Sequence, residues 1–188
     1  MAADPTHDLW QALGAGAGTL ATEEDYEHGY VREVRRDLEQ YISFGVSGET
    51  YAVSIDHIAE ISKPMQETEV PRTAAFVRGI ANVRGIVIPV IDLARRLGLP
   101  PRPLARSSRI LIVRHGADLC GVLVDEVMGV IPIAPEHLEE APGAIGGTRG
   151  DFIRSLARYE GELVIVLNLA TVLDPADFVS GPPNKRRG

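Results

Sequence analysis

Two ionic side chains stand out because apolar residues flank them: Glu60 in Ile58-Ala59-Glu60-Ile61 and Arg84 in Val83-Arg84-Gly85-Ile86. A charge so placed is either solvated at a turn or held by a partner at the rim of a groove. Their opposite signs make a Glu60–Arg84 pair the natural expectation. Other reactive types lack the company that chemistry needs. The five histidines (His7, His28, His57, His115, His137) show no H-x-x-x-H or H-E-x-x-H spacing, so no metal site is expected. Asp56-His57 has no G-x-S-x-G elbow to supply a nucleophile. The single cysteine, Cys120, cannot form an internal disulfide and reads as a small buried hydrophobe. The glycine runs at 14–18 and 143–150 lack the strand–turn–helix setting or the Gly-Lys-Ser/Thr ending of a phosphate loop. Asp56 and Asp125 read as turn acceptors, and Asp92 as the N-cap of a helical turn. No catalytic, cofactor-binding or metal-binding residue is expected.

The 188-residue chain is 45% hydrophobic, enough for a core, and carries a net charge of −7. That charge and the 5% aromatic content disfavour nucleic acid, which rewards basic surfaces and stacking platforms. No apolar run approaches a membrane span, and the N-terminus does not read as a secretory signal. A cytoplasmic protein without membrane insertion is expected. Residues 1–37 hold eight acids against three arginines and read as an acidic, mobile arm with a helix near 30–38. Residues 179–188 read as a basic tail.

Between these ends, short Val/Ile/Leu-rich segments alternate with Gly, Pro and charge. Strands are expected at 40–46, 50–55, 85–91, 109–114, 119–124 and 161–167. The segments at 86–91 and 163–168 are almost uniformly apolar, as strands covered on both faces are. Pro89 points to an edge or a bulge. AEI, ARRLG and ATVLD read as single helical turns.

The chain also repeats itself. Residues 40–61 align without a gap on 109–130, and residues 76–97 on 152–173. The second block has eight identities, among them Phe76/Phe152, Gly85/Gly161 and Leu93/Leu169. Apolar positions coincide in the first block, including Ile58/Val127 and Ile61/Val130. Two small units, near 40–98 and 109–174, are therefore expected to pack together and share a core. The seam between them is a natural groove. Glu60 and Arg84 break the repeat, since their mates are Gly129 and Glu160.

The stretch FVRGIANVRGIVIPVIDLARRLG (76–98) is similar to the F-[IV]-x-G-[IV]-x-N-L-R-G-x-[IV]-[IV]-P-[IV]-[IV]-D-L-R signature of the chemotaxis coupling proteins, the CheW family. Residues 40–61, 109–130 and 152–173 resemble the remaining blocks in order, so the resemblance spans about 40–178. Departures are Val83 for Leu, Ala94 for Arg, and the acidic arm. The resemblance implies a mainly β fold of two pseudo-symmetric five-stranded β-barrel subdomains packed together, with short helices, within one domain at 38–178. It implies a non-catalytic adaptor with no cofactor. The implied partners are the cytoplasmic tips of chemoreceptors and the regulatory domain of a CheA-type histidine kinase. Receptor contacts carry over to Ile58, Glu60, Arg84, Val127 and Val130. Kinase contacts carry over to the first-barrel surface near Tyr41 to Asp56. The alternatives are a nucleic-acid-binding small barrel, an enzyme with a site in the seam, and a variant that binds only one of the two partners.

Overall fold

The computed structural model describes residues 38–140 and 150–179. The expectations for the acidic arm, the glycine run at 143–150 and the basic tail fall wholly or mostly outside these residues. Eleven strands run in chain order: β1 (Glu39–Val46), β2 (Glu49–Ser54), β3 (Ile58–Ser62), β4 (Val77–Val83), β5 (Ile86–Asp92), β6 (Arg109–His115), β7 (Asp118–Val124), β8 (Glu126–Ile133), β9 (Leu138–Glu140), β10 (Ile153–Tyr159) and β11 (Glu162–Leu167). All six strands expected from apolar runs are present. The two described α-helices are single turns, α1 (Leu93–Arg96) and α2 (Leu169–Val172). The third expected turn, AEI, is instead strand β3, because it pairs antiparallel with β6. Among the described residues no helix is long and apolar enough to cross a membrane.

The strands form a six-stranded sheet, β8-β1-β2-β11-β10-β9, and a five-stranded sheet, β3-β6-β7-β5-β4. The repeat relates β1 to β6, β2 to β7, β3 to β8, β4 to β10, and β5 to β11. The boundaries 40–98 and 109–174 are thus boundaries of the repeat, not of the sheets. Each sheet takes the first two strands of one copy and the later strands of the other. Each sheet joins the copies twice, once antiparallel (β1 with β8, β3 with β6) and once parallel (β2 with β11, β7 with β5), and the parallel pairs need the long crossovers that this exchange provides.

Alternation sorts the side chains into three cores. On β1, Tyr41 enters the interior of the six-stranded sheet, while Ile42 and Phe44 enter a core common to both sheets. On β6, Ile110 and Ile112 fill the five-stranded sheet, while Leu111 and Val113 face the common core. The common core also takes Ile91, Leu93, Phe152, Leu167 and Leu169. β5 and β11 therefore serve cores on both faces, as their uniform apolarity requires. Pro89 lies inside β5, not on an edge strand. Pairing with β7 begins only at Val90, so the missing proline N–H leaves no gap in that ladder.

One element breaks the pseudo-symmetry in the interior. The Arg96 guanidinium carbon lies 4.5 Å from the Phe76 ring centroid and 4.7 Å from that of Phe152, its repeat mate. Arg96 donates to the Val172 and Thr171 carbonyls at the end of α2, and to Asp177 at 2.7 Å. Its side chain is only 6% exposed, and its own repeat mate is Val172. Nearby, Phe178 meets Phe76 edge-on and its carbonyl accepts from Ala74 N–H, tying the segment after α2 to the 63–76 connector. That connector also crosses β4, where a Cβ on Gly79 would lie 2.3 Å from the Thr68 carbonyl oxygen. Only glycine fits there.

Candidate functional site

Asn82, Val83, Arg84, Gly85 and Ile86 form the β4–β5 hairpin, with Val83 opposite Ile86. Arg84 (φ 53°) and Gly85 (φ 89°) are both left-handed, the signature of a type I′ turn. The Asn82 Oδ1 accepts the Gly85 N–H at 2.8 Å and braces the turn from inside. Arg84 then reaches Glu60, with Nη2 3.1 Å from Oε2. The expected ion pair is therefore formed. Because β3 and β4 are the two edges of the five-stranded sheet, the pair bridges those edges. Arg84 is 79% exposed and Glu60 34%, so the pair contributes about 0–1 kcal/mol to folding. Nearly all of Arg84 faces outward, available to a partner.

Glu60 owes its orientation to a bulge. The β3–β6 register shifts between Ile58 and Glu60, leaving Ala59 as the extra residue. The repeat places an equivalent shift in the β1–β8 ladder, where Ser43 opposes Gly129 and Phe44 opposes Val127, and Met128 is extra. Ile58 and Val127 both pack, half-buried, against the common core. Val130 lies opposite Ile42, and Ile61 opposite Leu111. Directly opposed residues share a face, so Val130 and Ile61 lie on the common-core side of their sheets. They are nevertheless 50% and 40% exposed. The common core thus continues outward as apolar surface on both sheets. Glu60 lies opposite Ile112, which fills the five-stranded sheet, so its side chain leaves β3 on the other face from Ile58 and Ile61. Of the residues carried over, the structure brings Glu60 and Arg84 into contact; Ile58 lies on the same strand as Glu60 but on its common-core face, and Val127 and Val130 occupy the equivalent margin of the other sheet. Ile61 and Met128 were missed by the sequence reading. Ile61 could have been found there as the repeat mate of Val130.

The stretch Tyr41–Asp56 offers less surface than expected. Tyr41 to Val46 and Tyr51 to Val53 are buried in the middle of the six-stranded sheet. Only the turn at 47–50 and the 3-10 turn beginning at Ile55 reach solvent. A larger apolar surface lies on the β4–β5 hairpin, where Ile86 and Val87 are 54% and 60% exposed. They border a cleft that Leu119 and Phe178 also line, between the first half of β5 and the start of β7.

The remaining reactive types have structural duties. Asp92 Oδ1 accepts the Arg95 N–H and caps α1, while Asn168 holds the equivalent cap position of α2 without a side-chain bond. Asp125 Oδ2 accepts the Ser47 N–H at 2.7 Å. Among the described residues no hydrogen bond to the Asp56 carboxylate is formed, and its N–H donates to Ser54 Oγ. Burial pushes the Cys120 thiol up to about 12, so it carries no thiolate at neutral pH. Burial, then the hydrogen bond to Glu39 and its charge, push Tyr41 up to about 12 against a smaller opposing pull from Arg154. Among the described residues no three His, Cys, Asp or Glu side chains converge as metal ligands.

Comparison with known proteins brings these features together. The model of the CheW-like domain matches residues 40–177. The chain is 32% identical to the chemotaxis protein CheW of Bacillus subtilis, over 78% of this chain and 94% of that protein. It is 30% identical to the Helicobacter pylori chemotaxis protein CheW, over 77% and 87% respectively. Among solved structures, the scaffolding protein TtCheW of Thermoanaerobacter tengcongensis superposes with a TM-score of 0.68 at 32% identity, covering 73% of this chain and 93% of that one.

Proposed function

The chain belongs to the CheW family, and from that premise we propose that the apolar margins beside Glu60 and Arg84 receive a helical segment of a chemoreceptor's cytoplasmic tip. The protein is a non-catalytic adaptor of chemotaxis signal transduction, coupling chemoreceptors to a CheA-type kinase. One observation carries the groove assignment. Four repeat-related apolar residues, Ile58, Ile61, Val127 and Val130, extend the common core to the surface, and the edge strand β3 that carries two of them also carries Glu60 of an ion pair that the second copy lacks. A helix docking in a groove uses this combination, with apolar anchors for affinity and a few oriented charges for register.

An adaptor with two partners needs a second surface. The exposed Ile86 and Val87, with the cleft beside them, supply it for the kinase regulatory domain. The polar turn at 47–50 has no apolar anchor of comparable size. In this reading the protein works in the cytoplasm, recruited to receptor arrays.

The test is Arg84→Ala, with folding, receptor binding and kinase binding measured on one sample. Folding stability should change by less than about 1 kcal/mol. Receptor affinity should fall by more than about 1.4 kcal/mol, which is tenfold, with kinase affinity unchanged. Unchanged receptor affinity in the folded variant would sink the assignment, and equal loss of both partners would mean the protein was damaged.

A further inference from the structure

We propose that Asn82 is the positioning residue for Arg84, a role that rests on the groove reading above and deepens it. Arg84 has little else to hold it. Its side chain is 79% exposed, and its backbone sits at φ 53°, a region that a β-carbon disfavours. The ion pair with Glu60 holds the side chain, and the bond from Gly85 N–H to Asn82 Oδ1 spans the turn on which Arg84 sits.

The repeat supplies an internal control. The β10–β11 turn has the same backbone, with Glu160 at φ 50° and Gly161 at φ 86°. There Arg158 stands in the place of Asn82, and an arginine side chain has no acceptor to offer. The turn type therefore forms without the amide. What the amide adds at the first turn is order: it pins the Gly85 N–H and narrows the directions in which Arg84 can leave the hairpin. A charge held in place loses less freedom when a partner docks, and that difference appears as affinity.

Two variants separate positioning from a general structural role. Asn82→Ala removes the acceptor, and Asn82→Asp keeps it. In the free protein, 15N relaxation of the Arg84 side-chain Nε–H should show a loss of order in Asn82→Ala and near-native order in Asn82→Asp. Binding is read with a soluble fragment of a chemoreceptor cytoplasmic tip. Asn82→Ala should weaken it about threefold to tenfold, the range of one net hydrogen bond, and Asn82→Asp should stay within about twofold of the parent. In an Arg84→Ala background, Asn82→Ala should cause no further loss, because the two act as a unit. Native Arg84 order in Asn82→Ala, or the same affinity loss with and without Arg84, would overturn the proposal. If Arg84→Ala alone leaves affinity unchanged, the groove assignment fails, while the relaxation measurement still decides whether Asn82 orders the arginine.

Discussion

The β4–β5 and β10–β11 hairpins share one backbone and a set of core positions, and differ on their exposed faces. Both close with a type I′ turn, and both follow a phenylalanine whose carbonyl accepts an N–H from the residue ahead of a helical turn, Asp92 in one copy and Asn168 in the other. Yet the first carries Asn82, Arg84, Ile86 and Val87, where the second carries Arg158, Glu160, Glu162 and Leu163. Backbone geometry and core positions survive duplication because every strand depends on them. Exposed turn residues are free to diverge, so they are where one copy can acquire a partner. In this scaffold, function is found by subtracting one half from the other.

The comparison can be broken most severely at Arg96, the asymmetric residue between the symmetric phenylalanines. Arg96→Ala removes a buried charge from two rings, two carbonyls and Asp177, and should cost about 3 kcal/mol of folding stability. Urea denaturation measures it, and a loss under about 1 kcal/mol would mean the clamp is incidental. Next comes the hairpin surface. Val87→Asp should weaken kinase binding at least about tenfold, whereas Leu163→Asp, at the equivalent exposed place, should leave it unchanged. Similar losses from both would put the kinase on the whole pseudo-symmetric surface.

Tyr51 and Cys120 occupy equivalent places in the common core, where burial pushes the cysteine thiol up to about 12. The unfolded chain loses that proton near 9, so between pH 9 and 12 the folded state holds more protons and stability falls as pH rises. Tyr41 adds a decline of the same sign between 10 and about 12. Cys120→Ala should flatten the lower part of this fall in unfolding free energies measured across that range. An identical slope would show that the thiol is not held protonated. Smallest of all, Glu160→Ala should alter stability by less than about 0.5 kcal/mol and leave receptor affinity as it was. A clear loss of receptor affinity would end the idea that only the first turn is recruited.

The strands were legible because apolar runs bounded by Gly, Pro and charge leave little choice, and the repeat was legible because core positions coincide at fixed offsets. The Glu60–Arg84 pair was legible through their apolar flanks and unlike mates. What escaped has a physical reason in each case. β3 carries Ala59 and Glu60 on a bulged edge, which masks its alternation as a helical turn. The exchange of strands between copies depends on which ladder forms at long range, and local pattern is silent on that. The burial of most of the Tyr41–Asp56 stretch was not legible, because β1 is covered on both faces, one by each core. Ile61 went unassigned although its mate Val130 was named, since a single exposed isoleucine is ordinary until its cross-strand neighbour, Leu111, is known to be in the common core.

The nesting of the sheets sets the order in which the nascent polypeptide can complete itself. The five-stranded sheet uses one unbroken stretch, residues 58–124, while the six-stranded sheet is assembled from the flanks, 39–54 and 126–167. As synthesis proceeds, all strands of the inner sheet are present once β7 emerges. The β1–β2 hairpin, made first, must then wait with both edges unpaired until β8 and β11 arrive from the ribosome. Such late, distant closures slow folding and leave strand edges open to other chains.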